Sequence, residues 1–389
     1  MRFVGTSEYG QYSLFLSQCN LIAALGFGWL NQAQLRYYSQ DRLDESYKSN
    51  QFRSFLYSVI FCLINTSILF SLQTFSKKIW LISLLTIFTI GIFNYTKTVF
   101  QAKLFPKNVI YLTSLQSLFS LITPLILMYY LGYKAEILLL GIGISFLFST
   151  LIITKKQIIE LQTYFSLRKS VKGKIKNIKK WFFYGSPLSI WFAAGLALSF
   201  LDRYFINYYL QSDELGVYSS LQEILVRSFS LTLFPFTLAL HPRIMTLWNK
   251  SKFREAVELI LKSFYVILFV GLSIVFFIWY FNDFIFLFIR TIIPEFDIQS
   301  KLLIIPLLSA GFLWQISFLT HKMMELREQT MLMTIAIFPS LVINIIGNSL
   351  YLPKFGQIAT AYTAFFSALV YCFITGIHFV YTINKIRIS

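Results

Sequence analysis

Charge is scarce in this sequence, and acid is scarcer than base. Only 13% of its 389 residues are Asp, Glu, Lys or Arg, and the acids number 17 against 34 bases. Histidine and cysteine occur three times each. Cys19, Cys62 and Cys372 sit in apolar runs, no C-x-x-C occurs, and no His/Cys group has metal-ligand spacing. The thiols therefore read as core residues, and no cofactor or metal is expected. The first eight residues, MRFVGTSE, are too short and too polar for a cleavable signal, so insertion rests on the later segments.

What is abundant is apolar surface. Hydrophobic residues make up 56% of the chain, in recurring runs of the ~20 residues that a helix needs to cross a ~30 Å hydrocarbon layer. The runs fall at 9–33, 54–73, 80–102, 109–131, 137–153, 182–207, 216–240, 260–282, 302–322, 330–351 and 357–381. They are continuous, whereas barrel strands alternate over about ten residues, so a β-barrel is excluded. The fold class is all-α, a polytopic transmembrane helical bundle with eleven spans. Phenylalanine supplies 42 of the aromatic residues, and it lacks the polar edge suited to sugars, so most rings read as lipid-facing or packing groups.

Lys and Arg are depleted from translocated loops. The segments 1–8, 74–79, 132–136, 208–215, 283–301 and 352–356 hold seven of them, and the segments on the other side hold 23. The second side is therefore cytoplasmic, with the C-terminus inside and the visible N-terminus outside.

A repeat carries the same parity. SEYGQYS at 7–13 returns as DELGVYS at 213–219, an offset of 206. That shift moves each span onto the sixth one after it, so orientation is preserved and the repeats are parallel. The later copy follows a full span, FFYGSPLSIWFAAGLALSFLDRYFIN, and the earlier one follows six residues. The expectation is a twelve-span design with its first helix missing from the front of this chain. The lobes are then 1–153, with five spans, and 182–389, with six. They are joined by a cytoplasmic linker at 154–181 with nine Lys or Arg against the single Glu160. Such a linker fits an anionic lipid surface, and because loops obeying the inside rule account for most of the net charge of +17, no nucleic-acid partner is expected.

Polar residues inside spans are the candidates for function, since an intramembrane charge costs about 2.5–3.5 kcal/mol on insertion scales. Asn94, Lys97 and Gln101 are spaced three and four apart, on one helical face. They face a cavity, or Lys97 snorkels to the inner headgroups. Arg227 lies about 16 Å into its span at 1.5 Å per residue, out of reach of either surface. Glu223, four residues earlier, is spaced to pair with it, either as a self-neutralising pair or as a switch that frees the Arg for an anion while the Glu takes a proton. Asp202 and Arg203 end the sixth span near the outer leaflet, and Arg36 ends the first at the cytoplasmic side, where each also suits an interface anchor. His241 and His321 read as caps or snorkelling groups. Asn344 and Asn348, one turn apart, suit hydrogen bonding between helices.

The stretches SEYGQYSLFLSQCNLIAALGFGWLNQAQLRYY (7–38), LDRYFINYYLQSDELGVYSSLQEI (201–224) and VINIIGNSLYLPKFGQIATAYTAFFS (342–367) resemble the polysaccharide exporters. These are the lipid-linked oligosaccharide flippases of the multidrug/oligosaccharidyl-lipid/polysaccharide superfamily. The resemblance implies two six-helix lobes around a cavity that opens to either face of a bacterial plasma membrane. It implies outward carriage of a lipid-diphosphate-linked glycan, with membrane lipids and polysaccharide polymerase machinery as partners. Beside it, their place inside spans makes Arg227, Lys97, Asn94 and Gln101 expected substrate contacts and Glu223 an expected coupling group, and the resemblance adds Arg203 and Arg36 to the first set and Asp202 to the second. A multidrug cation antiporter of the same superfamily is the alternative, although Asp202 and Glu223 are the only intramembrane carboxylates it would have. A glycan-polymerising enzyme is a further alternative, with no D-x-D and only Asp283, Glu295 and Asp297 in the longest outer loop.

Overall fold

The computed structural model describes residues 4–41, 46–73, 76–154, 175–293 and 295–388. Long apolar runs become long helices because the backbone bonds internally and leaves no polar group to lipid. In order these are α1 (Thr6–Asp41), α2 (Tyr47–Gln73), α3 (Lys77–Ala102), α4 (Pro106–Leu131), α5 (Ala135–Thr154), α6 (Ile175–Tyr209), α7 (Ser212–Asn249) and α8 (Phe253–Tyr280). There follow α9 (Asn282–Ile292), a 3₁₀ turn (Gln299–Leu303), α10 (Ile304–Thr320), α11 (Lys322–Leu326), α12 (Thr330–Phe355) and α13 (Gln357–Ile388). Among the described residues there is no strand. Ten helical segments are long and apolar enough to cross a membrane. The expected span 216–240 lies in α7, where several side chains, that of Arg227 included, fall outside the described residues.

Local chemistry sets the helix ends. Ser76 caps α3 by accepting from Ile79 N at 3.4 Å. Pro106, which has no amide to lose, opens α4. Gly132 and Gly356, at φ +98° and +65°, end α4 and α12 in backbone conformations that a side chain would strain.

Two expectations need correction. The segment 283–301, expected as an outer loop, contains the amphipathic helix α9, with Phe286 and Ile289 buried and Phe284, Leu287 and Phe288 exposed, while Asp283, Glu295 and Asp297 are exposed as expected of solvated charges. Asp283 pairs with Lys301, and Asp297 accepts from Ser300 N and Oγ at 2.9 and 2.7 Å. The linker expected at 154–181 is helical at its far end, where Trp181 is buried. Residues 155–174, most of its charge, lie outside the described residues.

Two compact units divide the chain, residues 14–196 and residues 1–13 with 197–389. The expected boundary at 181/182 falls inside α6, which is continuous. Among the described residues the unit 14–196 thereby contains six helical segments, the sixth being the first half of α6. That half packs antiparallel on α1. Trp181 Nε1 donates to Asp41 Oδ2 at 2.8 Å, and Ser189 Oγ donates to Ala24 O at 2.8 Å. Trp29, Leu30, Ala33, Tyr47, Ile178 and Trp181 form one apolar cluster. Gly185 is required here, because a Cβ on it would overlap the Trp29 carbonyl. Trp181→Phe keeps an aromatic ring, though a smaller one, and removes the donor to a carboxylate, so it should cost at least about 1.5–3 kcal/mol, measurable as a lowered melting temperature in detergent.

Candidate functional site

Within the unit of residues 1–13 and 197–389, a polar network is built into the apolar interior. Asp202, on the second half of α6, has no exposed surface. Its Oδ2 accepts from Tyr218 Oη of α7 at 2.6 Å, and its Oδ1 accepts from Asn344 and Asn348 Nδ2 of α12 at 3.1 and 3.2 Å. All three donors are themselves buried. A buried carboxylate without such donors would lose its charge or unfold its surroundings. The one-turn spacing of the two asparagines lets both amides reach one oxygen.

Arg203 is the next residue and faces another way, since consecutive helical residues are about 100° apart. It is 2% exposed. Nε and Nη2 donate to Gln222 Oε1 at 3.3 and 3.2 Å, Nη2 to Glu223 Oε1 at 2.8 Å, and Nη1 to Ser13 O at 3.3 Å, with the Phe200 ring 4.5 Å away. Glu223 is the more open of the ion pair, its side chain 21% exposed against 3% for Arg203. The partner expected for Glu223 was Arg227, four residues on along the same helix. Arg203 of the neighbouring helix is one partner of Glu223, because the α6–α7 contact places its guanidinium opposite. The side chain of Arg227 lies outside the described residues.

The sequence repeat meets itself in this unit. Ser13 Oγ donates to Ser219 Oγ at 2.9 Å, a separation of 206 positions, and Thr6 hydrogen-bonds Asp213. A Cβ on Gly10 would lie 2.5 Å from Ser212 O and 2.9 Å from Gly216 N, and one on Gly216 would overlap the Thr6 carbonyl. The first turns of α1 and α7 thus cross backbone to backbone through small residues.

Within the unit 14–196, the expected cluster on α3 is partly assembled. Asn94 and Lys97 are half-buried and Gln101 is exposed. The ammonium of Lys97 lies 5.9 Å from the Phe93 ring centroid and forms no ion pair among the described residues. Arg36 is exposed, 5.7 Å from the Tyr184 ring. Gln34 donates to Tyr95 Oη at 3.2 Å, while its buried Oε1 has no partner among the described residues.

Tyr218, Gln222, Ser13 and Ser219 were not expected at the site. The repeat was the available signal for three of them, since Tyr218, Ser13 and Ser219 are among the residues it shares. His321, read as a cap or a snorkelling group, is 3% exposed and hydrogen-bonded to Tyr371 Oη at 3.2 Å, because α13 closes over it. His241 lies outside the described residues.

The fold is similar to solved transporters. An outward-facing multidrug resistance MATE family transporter of the MOP superfamily matches with a TM-score of 0.70 at 14% identity, covering 99% of this chain and 90% of that one. An inward-facing one matches with 0.69 at 15%, covering 99% and 93%. A MATE in the straight conformation gives 0.65 at 16%, covering 99% and 90%. No curated sequence matches the chain. The family model MatE covers residues 187–350, and the one described as polysaccharide biosynthesis protein covers residues 1–248, well over half of the chain. With ten apolar helices among the described residues, charged networks inside a helical unit and that match, the chain is a multi-pass membrane protein of the polysaccharide biosynthesis protein family, with a fold similar to that of MATE transporters.

Proposed function

We propose that this protein is a flippase that carries a lipid-diphosphate-linked oligosaccharide from the cytoplasmic to the outer leaflet of a bacterial plasma membrane for surface polysaccharide assembly. Its C-terminus is cytoplasmic, on the Lys/Arg distribution. The observation that carries the reading is the buried guanidinium of Arg203, whose counter-ion Glu223 is the more open partner. A phosphate oxygen can replace a carboxylate oxygen on an Arg fork without loss of charge-assisted bonding, so a diphosphate exchanges with Glu223. Lys97 is a second cation available to an anion. The glycan hydroxyls need a polar path, because each loses hydrogen bonds worth several kcal/mol on entering hydrocarbon.

Coupling falls to the carboxylates. Displaced from Arg203, Glu223 takes a proton, and Asp202 links α6, α7 and α12 through bonds that change if it is neutralised. An inside-negative potential also favours outward movement of an anion, by about 2.3 kcal/mol per charge per 100 mV.

The antiporter reading requires a carboxylate that can receive an organic cation. Both oxygens of Asp202 are occupied by three neutral donors, and Glu223 is engaged by Arg203. An anionic cargo therefore fits better. A deletion strain separates the two: loss of surface polysaccharide with unchanged drug susceptibility supports the flippase, and the reverse pattern overturns it. In the same strain, Lys97→Gln is expected to lower surface polysaccharide about tenfold, the effect of losing ~1.4 kcal/mol of anion binding, at unchanged membrane abundance on immunoblots.

A further inference from the structure

Three helices of the unit 14–196, namely α2, α3 and α5, enclose a cleft of about 530 Å³, a size typical of small-ligand sites. Its depth is apolar, walled by Val59, Phe88, Ile92 and Leu147. Leu56, Phe88 and Leu151, on three different helices, are 41%, 41% and 45% exposed, so the walls continue to the bilayer-facing surface and a chain can enter sideways.

The polar lining gathers at one end. Gln51 lies in the first turns of α2, Lys103 directly follows α3, and Thr154 closes α5. These three ends are cytoplasmic in the proposed orientation. The Thr154 hydroxyl is bonded to Thr150 O at 2.8 Å. Gln51 is 2% exposed. Its Nε2 donates to Tyr47 Oη at 2.7 Å, and its Oε1 is a buried acceptor with no partner among the described residues. On a helical wheel Ile92, Tyr95, Thr96, Val99 and Lys103 share one side of α3, and Asn94, Lys97 and Gln101 share the opposite side. The cleft is therefore separate from the cation face already described.

We infer that this cleft docks the isoprenoid tail of the cargo while its phosphate lies beside Lys103 in the cytoplasmic leaflet. The inference rests on the flippase reading. One slot takes one chain: an isoprenyl phosphate has a single chain, whereas a glycerophospholipid would leave its second chain outside. Phe52, Phe55, Phe88, Tyr95 and Phe100 give the slot five rings, wide polarisable surfaces for a methyl-branched chain. The cation at the mouth matches the anionic head, and Gln51 Oε1 is an acceptor for the hydroxyl of a sugar on that phosphate. Docking the tail at α2–α3–α5 holds the head at the cytoplasmic end of α3, which also carries Lys97.

The test uses purified full-length protein in detergent and two photoreactive probes, a benzophenone-bearing polyprenyl phosphate without sugar and a benzophenone-bearing phosphatidylglycerol. The polyprenyl probe is expected to cross-link to peptides of α2, α3 and α5. Val59→Trp and Leu147→Trp, each filling the slot from a different wall, should cut labelling at least tenfold. Lys103→Gln should weaken binding of the phosphate probe several-fold and leave an uncharged polyprenol probe unchanged. Cross-links elsewhere, labelling undiminished in whichever Trp variant elutes as a single species, or equal competition by phosphatidylglycerol overturns the inference. Surface polysaccharide in the complemented deletion strain is measured in parallel. Export without cross-linking removes the tail site alone, whereas cross-linking with no polysaccharide defect in the deletion strain removes the flippase reading.

Discussion

Ser13→Cys combined with Ser219→Cys, in a background with Cys19, Cys62 and Cys372 replaced, is expected to form a disulfide that abolishes export and is reversed by reductant. The two hydroxyl oxygens are 2.9 Å apart, and a disulfide needs β-carbons about 3.5–4.5 Å apart with sulfurs at ~2.05 Å, which the longer C–S bonds can reach from this geometry. The pair sits where the first turns of α1 and α7 cross, at the outer end in the proposed orientation. In the proposed transport cycle the first turns of α1 and α7 part when cargo is released. A bond that holds the α-carbons within about 7 Å prevents it. Each single cysteine variant should export near normally, because Ser→Cys is small and removes one neutral hydrogen bond, worth about 1 kcal/mol. Export measured under oxidant, then after reductant, should fall at least tenfold and recover. Undiminished export by a protein shown on a gel to be fully cross-linked would mean that the crossing is a fixed brace and not a gate. Gly216→Leu makes the complementary case, since its side chain collides with the Thr6 backbone and should bias the molecule toward the parted form.

Much of this architecture was legible in the sequence for a simple reason. A membrane permits few backbone solutions, so long apolar runs specify helices and leave little choice of class. Asp202, Arg203 and Glu223 could be singled out because a charge within such a run is costly. Their partners could not be named. Spacing along a helix reports neighbours on that helix, such as the expected Glu223–Arg227 pair, and is silent on groups that a neighbouring helix brings. The Arg203–Glu223 pair depends on which faces of α6 and α7 meet, and that is a property of packing. Asn344 and Asn348 read as generic helix-to-helix groups because nothing local says that both amides converge on one carboxylate. The segment around 175–181 read as linker because it continues a lysine-rich stretch and is itself three lysines in seven residues. Yet Ile178 and Trp181 are three apart and bury one face while the lysines take the other, a periodicity that a charge tally conceals. The repeat was visible as an alignment of seven residues, but its copies touching through Gly10 and Gly216 was not.

Arg203→Ala is expected to abolish export and also to destabilise the protein, and the two effects separate in a second variant. Removing the guanidinium takes its charged hydrogen bonds from Glu223 Oε1, Gln222 Oε1 and Ser13 O. Breaking a buried pair from one side costs about 3–5 kcal/mol. Because Glu223 is 21% exposed and can recruit water, the lower end applies. The double variant Arg203→Gln/Glu223→Gln replaces the pair with neutral amides that can still bond each other and Ser13 O. It should recover most of the lost melting temperature. If Arg203 only braces α6 against α7, the double variant restores export together with stability. If it receives the diphosphate, stability returns and export does not, since a glutamine amide offers one weak donor where the guanidinium offers two charged ones. Asp202→Asn probes the other half of the network. It keeps the shape, removes the charge that three donors surround, and should leave the protein folded while export no longer responds to an imposed proton gradient. Transport rates in proteoliposomes with and without that gradient decide it: a preserved gradient response in Asp202→Asn would assign coupling to Glu223 alone.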